Sequence, residues 1–315
     1  MRIIIFTIVW LWISGVALAD DQALQPRFQL PEGRYVFTYV LTTSQASGKD
    51  SRPPAAQSKK FEAELAVEKA APDQQVIHVT YRRISDIYGP VVSVTAVIRP
   101  NPGLEGTWQN FLNIPFDVTL SPKGDVMNVS GMDRIWKKLL EVDPDAKLSL
   151  KDYQNTYGEP FVRDWFKSLY RFMPAKAVQP GDSWKVSEAA DIQMLGSVNL
   201  EFDVTFRAVD AKSGAPRAIL QVSSGSSRTL TPEQLKQLPG QVVKAETKAA
   251  TSGKVERDLD SGTLRHQLIE STVSGAYVFK AENGQEQTQS QSALIKLEVT
   301  LNPGPYVSST RPENR

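Results

Sequence analysis

The chain offers little to any chemistry that needs a base. Its 315 residues include two histidines, His78 and His266, and no cysteine. Both histidines fall in stretches of period-two alternation, and His78 shares a face with Val76 and Thr80 opposite Ile77, Val79 and Tyr81. That pattern predicts a half-exposed sheet residue, and His266, two positions before Leu268, is read the same way. The string that could present a nucleophile is Gly181-Asp182-Ser183. A serine hydroxyl attacks only when a base takes its proton and a third group orients that base. The local reading is instead a turn, in which Gly181 supplies backbone freedom and Trp184 starts a strand. A hydrolase acting on envelope material, using Ser183 or acidic residues such as Asp182 and Asp203, is the competing reading.

Gly181-Asp182-Ser183 resembles the start of the nucleophile block of the Gly-Asp-Ser esterases, but the rest of that constellation is missing. The esterases place an aspartate three residues before their histidine, whereas here Thr263 precedes His266 and Gln75 precedes His78. Metal sites are no better supplied. Zinc needs cysteine or clustered histidines. Calcium needs only oxygens, and Asp258-Leu259-Asp260-Ser261-Gly262 and Asp143-Pro144-Asp145 are short acidic runs. The first lacks a glutamate at loop spacing and is explained by a hairpin turn. No phosphate-cradling glycine loop, dinucleotide fingerprint, Ser-x-x-Lys block or His-Glu-x-x-His motif occurs. We therefore expect no catalytic residue, no metal and no cofactor.

Thirty-six basic residues against 35 acidic ones leave no basic excess for nucleic acid. The nearest approaches to a basic run, Lys59-Lys60, Arg82-Arg83 and Lys137-Lys138, are isolated pairs that read as solvated faces. The first nineteen residues have the form of a cleavable export signal. Arg2 precedes an apolar run from Ile3 to Leu18, and Ala17-Leu18-Ala19 puts small residues where a signal peptidase needs them, so cleavage is expected before Asp20. Without cysteine there is no lipid anchor and no disulfide, and the fold must rest on packing. The expected location is the periplasm or the exterior of a bacterial envelope, with no integral membrane anchor after cleavage.

Clear strands run from Arg34 to Leu41, Lys60 to Glu68 and Val198 to Ala208, each with one apolar and one polar face, as in antiparallel sheets wetted on one side. Further strands are expected at Val76–Ile84, Val91–Ile98, Phe116–Leu120, Val126–Val129, Arg217–Ser223, Val242–Thr247, Val255–Leu259, Leu264–Val273 and Ile295–Leu301. Ser121-Pro122-Lys123-Gly124 and Asp260-Ser261-Gly262 read as hairpin turns. Between the strands the period changes to that of helices. One runs from Met132 to Val142 with Ser130 as cap, and one from Leu150 to Tyr157. A third begins at Pro160, carries Phe161, Trp165, Leu169 and Phe172 on one stripe, and stops at Pro174. Ser44–Ser58 and Ala281–Gln291 read as mobile hairpin loops.

Pro31-Glu32-Gly33-Arg34-Tyr35 and Pro180-Gly181-Asp182-Ser183-Trp184 open two strand sets of one plan. The expected fold is therefore α+β and β-dominant, with two pseudo-repeated antiparallel units joined by a short helical segment. Its divisions are 1–19 signal peptide, 20–130 first unit, 131–174 helical insert, 175–302 second unit and 303–315 disordered tail. The Pro-x-Gly-x-Tyr opening, the helical insert and the Gly-Asp-Ser-Trp block resemble a family of exported bacterial proteins of unknown function. That resemblance implies no catalytic residue. The expected role is a non-catalytic binding or scaffold protein whose partner is an apolar small molecule, a lipid or another envelope protein. A structural subunit of a surface assembly is the third reading. The aromatic side chains Tyr35, Phe37 and Tyr39 serve either the core or a cavity.

Overall fold

The computed structural model describes residues 23–47, 55–69, 71–90, 111–192, 196–211, 214–235, 242–280 and 285–305. Among them, eleven strands form one antiparallel sheet. They are β1 (Gly33–Ser47), β2 (Ala55–Val67), β3 (Gln75–Pro90), β4 (Pro115–Leu120), β5 (Val126–Ser130), β6 (Ser183–Ile192), β7 (Gly196–Asp210), β8 (Arg217–Thr229), β9 (Val242–Asp258), β10 (Leu264–Lys280) and β11 (Glu286–Pro303). The order across the sheet is β5-β4-β3-β2-β1-β11-β10-β9-β8-β7-β6. Strands before the helices thus form one meander and strands after them another. The two join where β1 pairs β11, from Tyr35 opposite Pro303 to Ser47 opposite Gln291. The helices are α1 (Asp133–Val142), α2 (Leu150–Tyr157), α3 (Glu159–Tyr170) and the short α4 (Pro232–Leu235), with a 3-10 turn at Pro144–Leu148.

The β-dominant α+β class is as the alternation predicts, but several boundaries differ. The loop expected at Ser44–Ser58 is narrower, because β1 runs to Ser47 and β2 starts at Ala55. Likewise β11 begins at Glu286, inside the loop expected at Ala281–Gln291. These ends are Ser-, Thr- and Gln-rich and show no apolar contrast, yet each is paired backbone to backbone with its neighbours. The stretches expected at Val242–Thr247 and Val255–Leu259 are one continuous strand, β9. Met132 rather than Ser130 takes the N-cap position of α1, without a side-chain cap bond. The export signal at 1–19, the strand at Val91–Ile98 and positions 306–315 of the tail lie outside the described residues.

One face of the sheet holds the core. Phe37, Phe61, Leu65, Val79, Phe116, Val204, Phe206, Leu220, Val255 and Leu301 are buried there against α1 to α3. The stripe read on α3 does the packing. Trp165 stacks on Phe37 of β1 at 4.3 Å, and Phe161 meets Phe61 of β2 edge-on at 5.2 Å. Just beyond the helix, Phe172 meets Phe202 of β7 at 5.5 Å, and Arg171 reaches Glu188 of β6 at 2.9 Å. A twelve-residue helix is only ~18 Å long, whereas β2 to β6 would span ~34 Å if the sheet were flat. The sheet must therefore curl around α3, with the helices in its hollow.

One cation lies inside that core. Arg257 of β9 is fully buried and donates to Gly262 O at 3.1 Å and to Leu169 O, in the last turn of α3, at 2.7 Å. The helix C-terminus, with its unpaired carbonyls and partial negative charge, favours a cation there. Burial pushes the guanidinium down to about 10, so it stays charged at neutral pH. Below it Gly262, at φ 70°, closes the β9–β10 hairpin read from the sequence. The entry of the chain is pinned similarly by Gln75, whose buried amide donates to Leu30 O at 2.7 Å and accepts from Leu30 N at 3.0 Å.

Candidate functional site

The helices cover only part of the curled face. At their upper limit the inward row runs Leu41, Leu297, Ile269, Gly253, Val222, from β1 to β8. Further along the same strands most of the inward side chains become small, with Ile295 and Val273 the exceptions. The next inward row is Thr43, Ile295, Ser271, Thr251 and Ser224. Above it stand Ala293, Val273, Ala249 and Ser226, then Gly275 and Thr247. Past these, bulky residues return in a second apolar cluster of Leu230, Ala245 and Tyr277, with Leu235, Val242 and Phe279 against it.

The result is a belt of small side chains between two apolar clusters, crossing five strands from β1 to β8, ~19 Å at ordinary strand spacing. Two glycines shape its rims. A Cβ at Gly253 would stand 2.3 Å from Ile269 Cδ1 and 2.6 Å from Leu268 O, so Ile269 lies flat over that glycine. A Cβ at Gly275 would stand 2.8 Å from the Tyr277 hydroxyl, so the phenol folds back along its own strand toward the belt. Within the belt Thr251 Oγ1 and Ser271 Oγ hydrogen-bond each other at 2.9 Å, so these hydroxyls are matched across strands. The inward positions of β9 between Ala249 and Gly253 are half-buried while their outward neighbours Ala250, Ser252 and Lys254 are exposed. On the β6 side, Glu188 holds Arg171 and, at 3.6 Å, Lys167 of α3.

The residues singled out for chemistry are not brought together. Ser183 is exposed on β6, and its hydroxyl pairs with Thr205 Oγ1 at 2.9 Å. Asp182 accepts from Gln179 N at 2.8 Å within the turn, where Gly181 sits at φ 101°. Asp203 lies 3.7 Å from Lys185 on the exposed face. His266 on β10 is four strand spacings from Ser183, ~19 Å, and His78 on β3 is farther still. Asp258 uses one carboxylate oxygen on Ser261 and the other on Arg265. Among the described residues no group of three or more His, Asp or Glu side chains could hold a metal ion.

His78 is half-exposed, as its alternation implies, and bridges two carboxylates, with Nε2 2.9 Å from Glu68 and Nδ1 2.7 Å from Asp117. The Glu68 hydrogen bond first, then that of Asp117, raises its pKa above the ordinary value against a smaller effect of burial. Stability from this pair is complete below the unfolded value of about 6.5 and is lost as pH rises through the raised folded value. The group is partly exposed, so the effect should stay below about 1 kcal/mol. Urea midpoints of wild type and His78→Gln are expected to differ at pH 5.5 and to converge by pH 9. A difference independent of pH would show that the ion pairs contribute nothing.

The model of a family of unknown function, DUF6263, matches residues 91–264. No curated protein matches the sequence. Among solved structures, a lipovitellin chain studied for its lipid–protein interactions is similar at 11% identity and a TM-score of 0.48, over 90% of this chain and 26% of that one. The chain thus spans about a quarter of that protein. A DUF1329 family protein from Desulfovibrio piger aligns at 8% identity and a TM-score of 0.16, covering 87% of each chain. The COG4313 outer membrane channel from Pseudomonas putida F1 aligns at 8% identity and a TM-score of 0.15, over 86% of this chain and 97% of that one. Among the described residues no helix is long and apolar enough to cross a membrane.

Proposed function

This chain belongs to the family of unknown function DUF6263, and we propose that it is an exported, non-catalytic binding protein that holds a single acyl chain in the belt of small side chains. Export is read from the apolar run Ile3–Leu18 and the Ala17-Leu18-Ala19 end. One observation carries the binding reading. A curled sheet that packs large apolar side chains on either side turns, apart from Ile295 and Val273, to Ser, Thr, Ala and Gly between them on the face that holds the helices.

Small residues on a shielded face leave room that would otherwise hold large side chains, and a cavity without atoms on one side forfeits their dispersion contacts. An apolar occupant restores those contacts. Ile295, Val273, Ala249 and Ala293 offer it an apolar surface, and the Thr251 and Ser271 hydroxyls satisfy part of each other's hydrogen-bonding demand.

Native mass spectrometry of protein purified from its own envelope is expected to show a retained species of acyl-lipid mass. Delipidated protein should then bind saturated fatty acids with affinity rising roughly fourfold per methylene, the equivalent of about 0.8 kcal/mol for each CH2 removed from water. A bare protein mass together with affinity indifferent to chain length would remove the proposal.

A further inference from the structure

A second site lies on the opposite face, at the end of the sheet where the β9–β10 hairpin turns. There a cleft of about 340 Å³ is lined by Arg217 of β8, Arg265 and His266 of β10, and Thr300 and Asn302 of β11. Each of these side chains can donate a hydrogen bond, and two carry a permanent positive charge. Arg265 and His266 are consecutive, and in a regular strand they would point to opposite faces. A register shift between Leu264 and His266 against β9 breaks that alternation and lets both line one cleft. Bulges of this kind re-aim side chains.

Carboxylates hold the cations but do not line the cleft. Arg217 binds Glu256 at 3.3 Å, Arg265 binds Asp258 at 3.0 Å, and His266 Nε2 lies 3.3 Å from Glu298. Glu256, Asp258 and Glu298 are absent from the cleft wall, which Ala215 and Pro303 complete, so no carboxylate lines it. Burial alone would raise the Glu256 carboxyl, but Lys254 and then Arg217 and His266 outweigh it and keep it ionised below its usual range. Ser261 and Arg265 do the same for Asp258. Each guanidinium is bonded through one nitrogen to its carboxylate, which fixes its plane and leaves other N–H groups for the cleft. The side chains remain partly open to solvent, 35% for Arg217 and 22% for Arg265.

We infer that this cleft is a binding site for a phosphate-type oxyanion, with Arg217 and Arg265 as the charged clamp and His266, Thr300 and Asn302 as further hydrogen-bond donors. Guanidinium forks match tetrahedral oxyanions in geometry and stay charged at all physiological pH. The inference does not depend on the belt, which lies on the other face.

The chemistry is shared by free phosphate and by a phosphomonoester lipid head, and two arms separate them. Calorimetric titration of the delipidated protein with inorganic phosphate should show saturable one-to-one binding. Flotation with vesicles containing phosphatidic acid, against phosphatidylcholine alone, reads the lipid form. Arg217→Gln combined with Arg265→Gln is expected to weaken whichever form binds at least tenfold. Asn302→Asp, which leaves both ion pairs intact and puts a negative charge on the donor wall, should do so as well if the double variant fails to fold. No saturable binding of either probe, or binding unchanged in Asn302→Asp, overturns the site.

Discussion

Replacing Trp165 by alanine is expected to lower the free energy of unfolding by about 3–5 kcal/mol. The indole is 1% exposed and lies between Phe37 of β1 at 4.3 Å and Phe166 at 4.0 Å, with Phe61 of β2 tilted at 6.1 Å. Truncation removes the largest fully buried side chain of the core and leaves a cavity that the neighbouring strands cannot fill, because α3 holds the curl of the sheet at that point. Urea unfolding of Trp165→Ala should show a lower midpoint with an unchanged slope, as expected when stability alone changes. Trp165→Phe should recover more than half of the loss, since the stacking partners remain. A loss below about 1.5 kcal/mol, the range of volume-conserving exchanges, would mean that α3 is not the core of the curl.

The same residue shows why this part of the fold is legible in the sequence. Phe161, Trp165, Leu169 and Phe172 recur at helical spacing between Pro160 and Pro174, and strands such as Lys60–Glu68 alternate large apolar with charged residues. Both signals come from contrast between large apolar and polar side chains. Where contrast fails, so does the reading. Ala249, Ala250, Thr251, Ser252 and Gly253 carry no periodic signal, and β9 looks like two strands separated by a linker. It is continuous because β8 and β10 pair with it on both sides. Of the residues that hide the strand, Ala249, Thr251 and Gly253 face the belt and Ala250 and Ser252 the outer side, so the pattern is lost because small side chains stand on both faces.

Two further features depend on distance rather than on local pattern. The pairing of β1 with β11 joins the ends of the described chain and turns two meanders into one curled sheet, which no window of neighbouring residues reports. The bulge before His266 likewise depends on how β10 registers against β9. Each histidine was legible as a sheet residue. That His266 shares a cleft with Arg265 and Arg217 was not, because alternation predicts the opposite for adjacent residues.

Filling the belt is expected to abolish acyl binding while leaving the fold in place. Ala249 and Ala293 flank Val273 on the shielded face, on either side of β10. Phenylalanine at both positions would project rings into the trough, and aromatic side chains reach diagonal neighbours ~7–8 Å away across a sheet. Both sites are half-buried and in paired strands, where aromatic residues are favoured, so the urea midpoint should not fall. The combined Ala249→Phe and Ala293→Phe variant is expected to lose fatty-acid affinity by at least an order of magnitude. Ala250→Phe supplies the control, because successive side chains of a strand point to opposite faces and Ala250 is exposed on the outer one. It adds the same ring to the same strand one residue away and should bind as wild type does. Equal loss in both variants would trace the effect to general hydrophobicity, and no loss in the double variant would empty the belt of its proposed role.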